Sequence, residues 1–511
     1  MSKFQKWLIL VIVSSALFLI VIDMTVLYAA LPRLTYDLQA TASDKLWIVN
    51  AYSLVMAGLL LGTGTLGDRV GHKRLFMIGL VIFGLATLVA AFSRTPLMLI
   101  FGRVFLAVGA SIMMPATLSL IRITFTDETE RSMAIGIWAS VAAGGAGLGP
   151  LIGGFLLEYF WWGSVFLINI PVVVLSLVAG WYLIPDSAGN PSKPWDVLSS
   201  FLIMMGLVGL VYAIKEITVR DANYGLSFVA LIIGVIGLVL FVDRQKRLTY
   251  PLVDFALFKN RLILAGVLTA MFSSGVNLGF KFALTQRLQL VEGLTPFEAG
   301  LFLVGSPIAS FFAGIFAGWA LPRVGSGKML WGTLLLACVG LCLFALTFNS
   351  APYAVQFVTL MVVGAGIGAA STTASNSIMN HAPIERAGMA ASVEEVSYEL
   401  GGAVGIAILG SAMSFLYTAS FQFPESLNAV APIVRDSLDE AIMVAETLPQ
   451  AQADLLLETA RASFDQGFMG VIVFGIVLLI TVIGVVGYST RNVIEDKLAL
   501  RNASHEQSLA G

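Results

Sequence analysis

Long unbroken apolar runs dominate this chain, and none shows the two-residue alternation of a half-buried strand. A helix needs about 20 apolar residues to cross a bilayer. Fourteen stretches meet that length, at 7–31, 46–66, 75–92, 96–121, 132–157, 163–183, 197–217, 226–242, 262–283, 299–321, 329–348, 354–375, 389–417 and 467–488. They predict fourteen transmembrane helices and exclude a membrane β-barrel, whose strands are short and alternating. The first run begins like the core of a signal peptide over 8–22. It has no small-residue cleavage site and continues to Leu31 with Asp23 inside it, so it reads as the first permanent span.

Composition agrees with an all-α integral membrane protein. Of 511 residues, 58% are hydrophobic and 12% charged, with mean hydropathy +0.90, whereas soluble domains carry about 25% charged residues. Alternate loops counted from the N-terminus collect 19 of the 29 Lys and Arg, even when Lys215 and Lys281 are assigned to the opposite side. The richer side is expected to be cytoplasmic, which puts both termini inside. Cys338 and Cys342 lie one helical turn apart. Structural zinc takes three or four protein ligands, and no third ligand is near, so they read as small apolar side chains. His72, His381 and His505 form no cluster. No metal, cofactor or nucleic acid is expected, and nothing resembles a nucleotide loop or a nucleophile constellation, so an enzyme is not expected either.

The segment Gly64-Thr-Leu-Gly-Asp68-Arg69-Val-Gly71-His-Lys73-Arg74 has a partial echo in Gly318-Trp-Ala-Leu-Pro322-Arg323-Val-Gly325-Ser-Gly-Lys328, where glycine, arginine, valine and glycine recur at an offset of 254. Such an echo in equivalent loops is the trace of a duplication, the parallel-repeat arrangement of many transporters. It divides the chain into a six-helix bundle over 1–184, an inserted pair of helices with linkers over 185–261, and a second six-helix bundle over 262–511. The second bundle includes an outer-face hairpin at 418–466 with eight acids against two arginines. That hairpin reads either as a solvated connection or as a gate or field that gathers cations at the exit. Residues 433–445 within it have helical apolar spacing.

Several residues then combine in order. They are Asp23 to Pro32 in the first span, the loop from Gly64 to Arg74, and Arg103 with Gly109 in the fourth. Gly145, Gly149, Pro150, Gly153 and Gly154 follow in the fifth span, with Phe166, Asn169 and Pro171 in the sixth. Glu394, Glu395 and Glu399 complete the set in the thirteenth. Over nearly its whole length the chain resembles the major facilitator superfamily, and within it the fourteen-span drug:proton antiporters of the quaternary ammonium exporter type. The resemblance implies two six-helix bundles plus two inserted helices in a bacterial inner membrane, working as a monomer among membrane lipids. It implies export of lipophilic organic cations (quaternary ammonium compounds, biguanides, dyes, methyl viologen) in exchange for protons. It also implies a conformational latch at Gly64, Asp68, Arg69, Gly71 and Arg74, and an antiporter motif at Gly145, Gly149, Pro150, Gly153 and Gly154. Two departures stand out: Asn50 where relatives often carry an acid in the second span, and Pro322 in the position of Asp68.

The candidate chemistry lies in the membrane acids. Asp23 falls about 24 Å along its helix from Trp7, at 1.5 Å per residue, inside the hydrocarbon zone. An acid there costs roughly 2.5–3.5 kcal/mol on insertion scales and is tolerated where it faces a watery cavity or a partner. Asp23 therefore reads as a proton-coupling and substrate-binding group, or as a structural hydrogen-bonding aspartate. Glu399 lies near mid-membrane with Glu395 one turn before it on the same face. The resemblance assigns Glu399 and its neighbours Glu394 and Glu395 to cation recognition or coupling, with aromatic rings such as Tyr52 adding cation–π attraction of about 0.5–2 kcal/mol. Arg103 is the one arginine well inside a span. It shares the depth of Asp23, and the two are expected to pair in a contact that changes between states. Gly145, Gly149 and Gly153 make a smooth stripe for close helix approach. The alternative function is export of another small solute, such as an amino acid or peptide.

Overall fold

Apolar composition sets how many helices there are, and polar residues at their ends set where each begins. The computed structural model describes residues 2–40, 42–186, 189–190, 196–217, 223–249, 251–421 and 438–509. Its helices are α1 Lys3–Asp37, α2 Ala42–Val70, α3 His72–Ala91, α4 Pro96–Thr124 and α5 Glu128–Tyr159. The helix α6, Ser164–Leu183, is interrupted at Ile168. Next come α7 Val197–Ile217, α8 Tyr224–Arg247 and α9 Arg261–Gln286, the last prolonged by a π turn at Arg287–Val291. The helix α10 comprises Pro296–Leu303 and Gly305–Val324, interrupted at Val304. The remainder are α11 Ser326–Thr347, α12 Tyr353–His381, α13 Ala387–Ser420 and α14 Gln450–Leu509. All fourteen are long and apolar enough to cross a membrane.

Side-chain caps explain many of the starts. Ser2 and Gln5 close a capping box on α1, and Thr295 with Glu298 does the same on α10. Thr95, Asp127, Asn223 and Asn260 accept first-turn amides of α4, α5, α8 and α9. Such caps satisfy donors that have no partner inside the helix. The α2–α3 break falls at Gly71, with φ 104°, and the α10–α11 break at Gly325, with φ 90°. Only glycine adopts this backbone cheaply, so the repeated loop sequences also share a local conformation.

Helix ends depart from the sequence expectation mainly where polar residues continue the helix. The helix α14 begins at Gln450 and runs to Leu509, well beyond the apolar run at 467–488. In the outer segment the helix covers Leu438–Ala445, and residues 422–437 lie outside the described residues. So does most of the first linker, at 187–188 and 191–195. Lys281, counted above with the outer loops, lies within α9.

Buried apolar side chains gather into two clusters. One is built mainly from α1 to α8 with the start of α13, the other mainly from α9 to α14 and the outer helix. The helices α7 and α8 pack on each other, and α7 lies against α2. Asp196, at the start of α7, pairs with Arg244 of α8 at 2.8 Å. The two sets of helices meet where α5 touches α10 and α12, and where α2 and α4 touch α13.

Candidate functional site

Asp23 is 2% exposed in the middle of α1 and faces α4. Arg103 donates from Nη1 to Asp23 Oδ2 at 2.5 Å and from Nε to the Ile48 carbonyl at 3.2 Å. Its guanidinium lies 4.4 Å from the Tyr52 ring centre. Asn169 of α6 donates to Asp23 Oδ1 at 3.4 Å. Four helices thus converge on one carboxylate. A buried ion pair depends on such additional bonds, because desolvation opposes it and removing one partner strands the other. Asn169 carries motif resemblance in the sequence, but its contact with Asp23 depends on α6 folding back beside α1.

A second set of acids lines the first turns of α13. Glu394 is fully buried and accepts from Ser375 Oγ of α12, while its Oε2 has no hydrogen-bond partner. Glu395 is 4% exposed and its Oε1 is also without a partner. Neither carboxylate has an ion-pair partner among the described residues. Glu399 lies one turn further and is half-buried. It sits within electrostatic range of both Glu395 and Tyr52. Tyr52, whose hydroxyl is buried without a hydrogen bond, lies within electrostatic range of Asp23, Arg103 and Glu399 together. Tyr398 bonds Ser371 through its hydroxyl, at 3.1 Å to Oγ, and Ser274 donates to its carbonyl at 2.8 Å. Ser371, Ser375 and Tyr398 have no sequence signal. Serines are common in packed membrane helices, and only the α12–α13 contact brings these to the glutamates.

At the end of the bundle that carries the Gly64–Arg74 loop, the two sets of helices are in contact. Asp68 accepts the Gly388 amide at 3.1 Å and pairs with His72 at 3.2 Å. A carboxylate here meets free donors and the positive end of the α13 dipole. A Cβ on Gly64 would lie 2.4 Å from the Gly388 carbonyl oxygen, so α2 and α13 cross backbone to backbone. Ser392 donates to the Leu60 carbonyl at 2.7 Å. Arg122 donates to the Ala382 carbonyl, and Arg131 to Asn380 Oδ1. Arg69 is half-buried and Arg74 exposed, and neither makes an ion pair among the described residues. Lys73 instead pairs with Asp186 at 3.1 Å. The related crossing of α5 and α10 is made by Gly136 against Gly314 and Gly318. There Pro322 offers no carboxylate.

The α5 glycines divide between neighbours. Gly145 lies against Phe18 and Val21 of α1, and a Cβ on Gly149 would meet Thr25. Gly144 and Gly147 face Phe311 and Pro307 of α10. Gly153 is buried, whereas Gly154 is exposed with nothing within 4 Å of a Cβ. The helix runs through Pro150, whose side chain lies outside the described residues.

Fourteen apolar helices in two packed sets, with charged side chains buried among them, are the architecture of a membrane transporter. The family model of the Major Facilitator Superfamily matches residues 13–406, and the chain belongs to that family. It is 40% identical to the methyl viologen resistance protein SmvA of Salmonella typhimurium, over 90% of this chain and 93% of that protein. It is 36% identical to the multidrug efflux pump LfrA of Mycolicibacterium smegmatis, over 95% and 97%. The human organic anion transporter MFSD10 shares the fold with a TM-score of 0.62 at 14% identity, over 94% of this chain and all of that one. The chain is a multi-pass membrane protein of a transporter family.

Proposed function

We propose that the chain is a proton-coupled multidrug efflux antiporter that exports lipophilic organic cations by alternating access. One observation carries this reading: a buried aspartate–arginine pair shares Tyr52 as an electrostatic neighbour with Glu399, whose neighbours Glu394 and Glu395 hold partnerless carboxylate oxygens. Excess buried negative charge attracts either a proton or a cation, and the two compete for it. The likeness to the methyl viologen resistance protein SmvA and the multidrug efflux pump LfrA supports drugs as cargo.

In this mechanism a cation enters from the cytoplasm or inner leaflet and meets deprotonated Glu399 and Asp23, with Glu394, Glu395 and Tyr52 around it. As it binds, Arg103 exchanges Asp23 for other partners. Protons arriving from outside then neutralise the carboxylates and release the cation outward. Each unit of pH gradient supplies about 1.4 kcal/mol per proton, and each net charge crossing 100 mV about 2.3 kcal/mol more. One proton per monovalent cation uses the pH gradient alone.

The remaining assignments belong to the same proposal. The protein is a monomer in a bacterial inner membrane with both termini cytoplasmic. The bundles are 1–184 and 262–511, with the inserted pair at 185–261. The loop end is cytoplasmic, so the state described here has its cytoplasmic gate closed by Gly64, Asp68 and Gly71, with Arg69 and Arg74 completing the latch in other states. Gly145, Gly149, Pro150, Gly153 and Gly154 let α5 slide closely on its neighbours.

The test is efflux of ethidium or methyl viologen from cells carrying wild type, Asp23→Asn or Glu399→Gln at matched expression. Wild type exports and both variants fail. Normal efflux in both variants overturns the site assignment, and no efflux by wild type overturns the cargo.

A further inference from the structure

One membrane charge plays no part in this scheme. Lys281 lies inside α9, and its ammonium meets no carboxylate among the described residues. The nearby acids beyond the outer end of α9 are engaged elsewhere: Arg287 holds Asp465 at 2.7 Å and Glu292 at 2.8 Å.

The face that carries Lys281 is polar. Ser274, Asn277, Lys281 and Thr285 follow at helical spacing, and all four are half-buried. Phe280, on another face, is buried against Phe344 and Phe468. Polar residues within the hydrocarbon depth, such as Ser274 and Asn277, line the bundle interior or a watery cavity, and Lys281 continues that face toward the outer surface. The inner end of the stripe touches the candidate site, since Ser274 bonds the carbonyl of Tyr398, the residue before Glu399.

Register gives the depth. The helices α9 and α13 run side by side in the same direction, with Met271 against Gly401, Gly275 against Gly405 and Gly279 against Leu409. Lys281 therefore stands twelve positions outward of the level of Glu399, about 18 Å at 1.5 Å per residue. A positive charge thus stands at the outer level of the bundle, outward of the glutamates.

We infer that Lys281 is a charge-selecting residue of the exit path, which repels a bound lipophilic cation and hastens its outward release. The inference rests on the exporter reading above. Two unit charges about 18 Å apart, at an effective dielectric of about 20, change a binding constant about fivefold. The positive charge also makes the outer half of the path a poor resting place for cations returning from outside.

The experiment is equilibrium binding and dissociation of tetraphenylphosphonium on the purified full chain in detergent. Lys281→Gln is expected to bind about fivefold tighter and release more slowly, while Lys281→Arg behaves as wild type. Lys281→Met, which suits an apolar helix, replaces the glutamine variant if that does not fold and carries the same expectation. Equal affinity and release in wild type and the neutral variants overturn the inference while leaving the exporter reading intact. A wild type that binds no tetraphenylphosphonium overturns both.

Discussion

Asp23 illustrates how one carboxylate is made to depend on four helices. Arg103, Tyr52 and Asn169 surround it, and Arg103 is itself tied to the Ile48 carbonyl. Asp23→Asn leaves Arg103 buried without a counter-charge, and breaking a buried pair in this way costs about 3–5 kcal/mol. The expected outcome is loss of efflux together with a lowered unfolding temperature of the solubilised protein. Glu395→Gln removes a charge whose Oε1 has no partner, so it is expected to lower efflux while preserving or raising that temperature. A fall in stability like that of Asp23→Asn would show Glu395 to be a packing residue. The two acids are thereby separated: one is anchored and the other is held without an ion pair.

At the scale of elements, close helix crossings decide which surfaces can meet. Gly64 faces the Gly388 backbone, and a valine there has no space. Overpacking of this kind costs typically 1–3 kcal/mol, which corresponds to roughly 5–150-fold in an equilibrium. Gly64→Val is therefore expected to shift the population away from the closed loop end and to cut efflux by a factor in that range. Gly154→Ala meets nothing within 4 Å and is expected to leave efflux unchanged while raising stability by about 0.5–1 kcal/mol, since a helix-interior glycine is replaced by a better helix former. Equal loss in both variants would remove the α2–α13 crossing from the mechanism.

The whole molecule closes through contacts between residues far apart in the chain. Arg122 and Arg131, at the end of α4 and the start of α5, grip Ala382 and Asn380 across the seam. Asp254, in the connection before α9, holds Arg386. Replacing both Arg122 and Arg131 by glutamine is expected to open this end. In a cysteine-free background, a single cysteine introduced at Ser392 should then react faster with a membrane-impermeant maleimide added to the loop-end side. An unchanged rate would mean that Asp68 and the glycine crossing hold the closure alone.

How much was legible in advance follows from the range of each interaction. Fourteen helices, the duplicated loop and the separation of Asp23, Arg103 and the α13 glutamates from ordinary lipid-facing residues were readable in the chain itself. Hydrocarbon thickness and the cost of a buried charge act on each segment locally. Tertiary structure alone decided the partners: Asn169 on Asp23, Ser375 on Glu394, and Asp68 on the Gly388 amide. Those contacts join residues separated by 146, 19 and 320 positions for Asn169–Asp23, Ser375–Glu394 and Asp68–Gly388, for example. Apolar periodicity cannot rank such pairings, because lipid-facing and bundle-facing surfaces are almost equally hydrophobic. Helix packing chose among them through small residues and a few polar bonds.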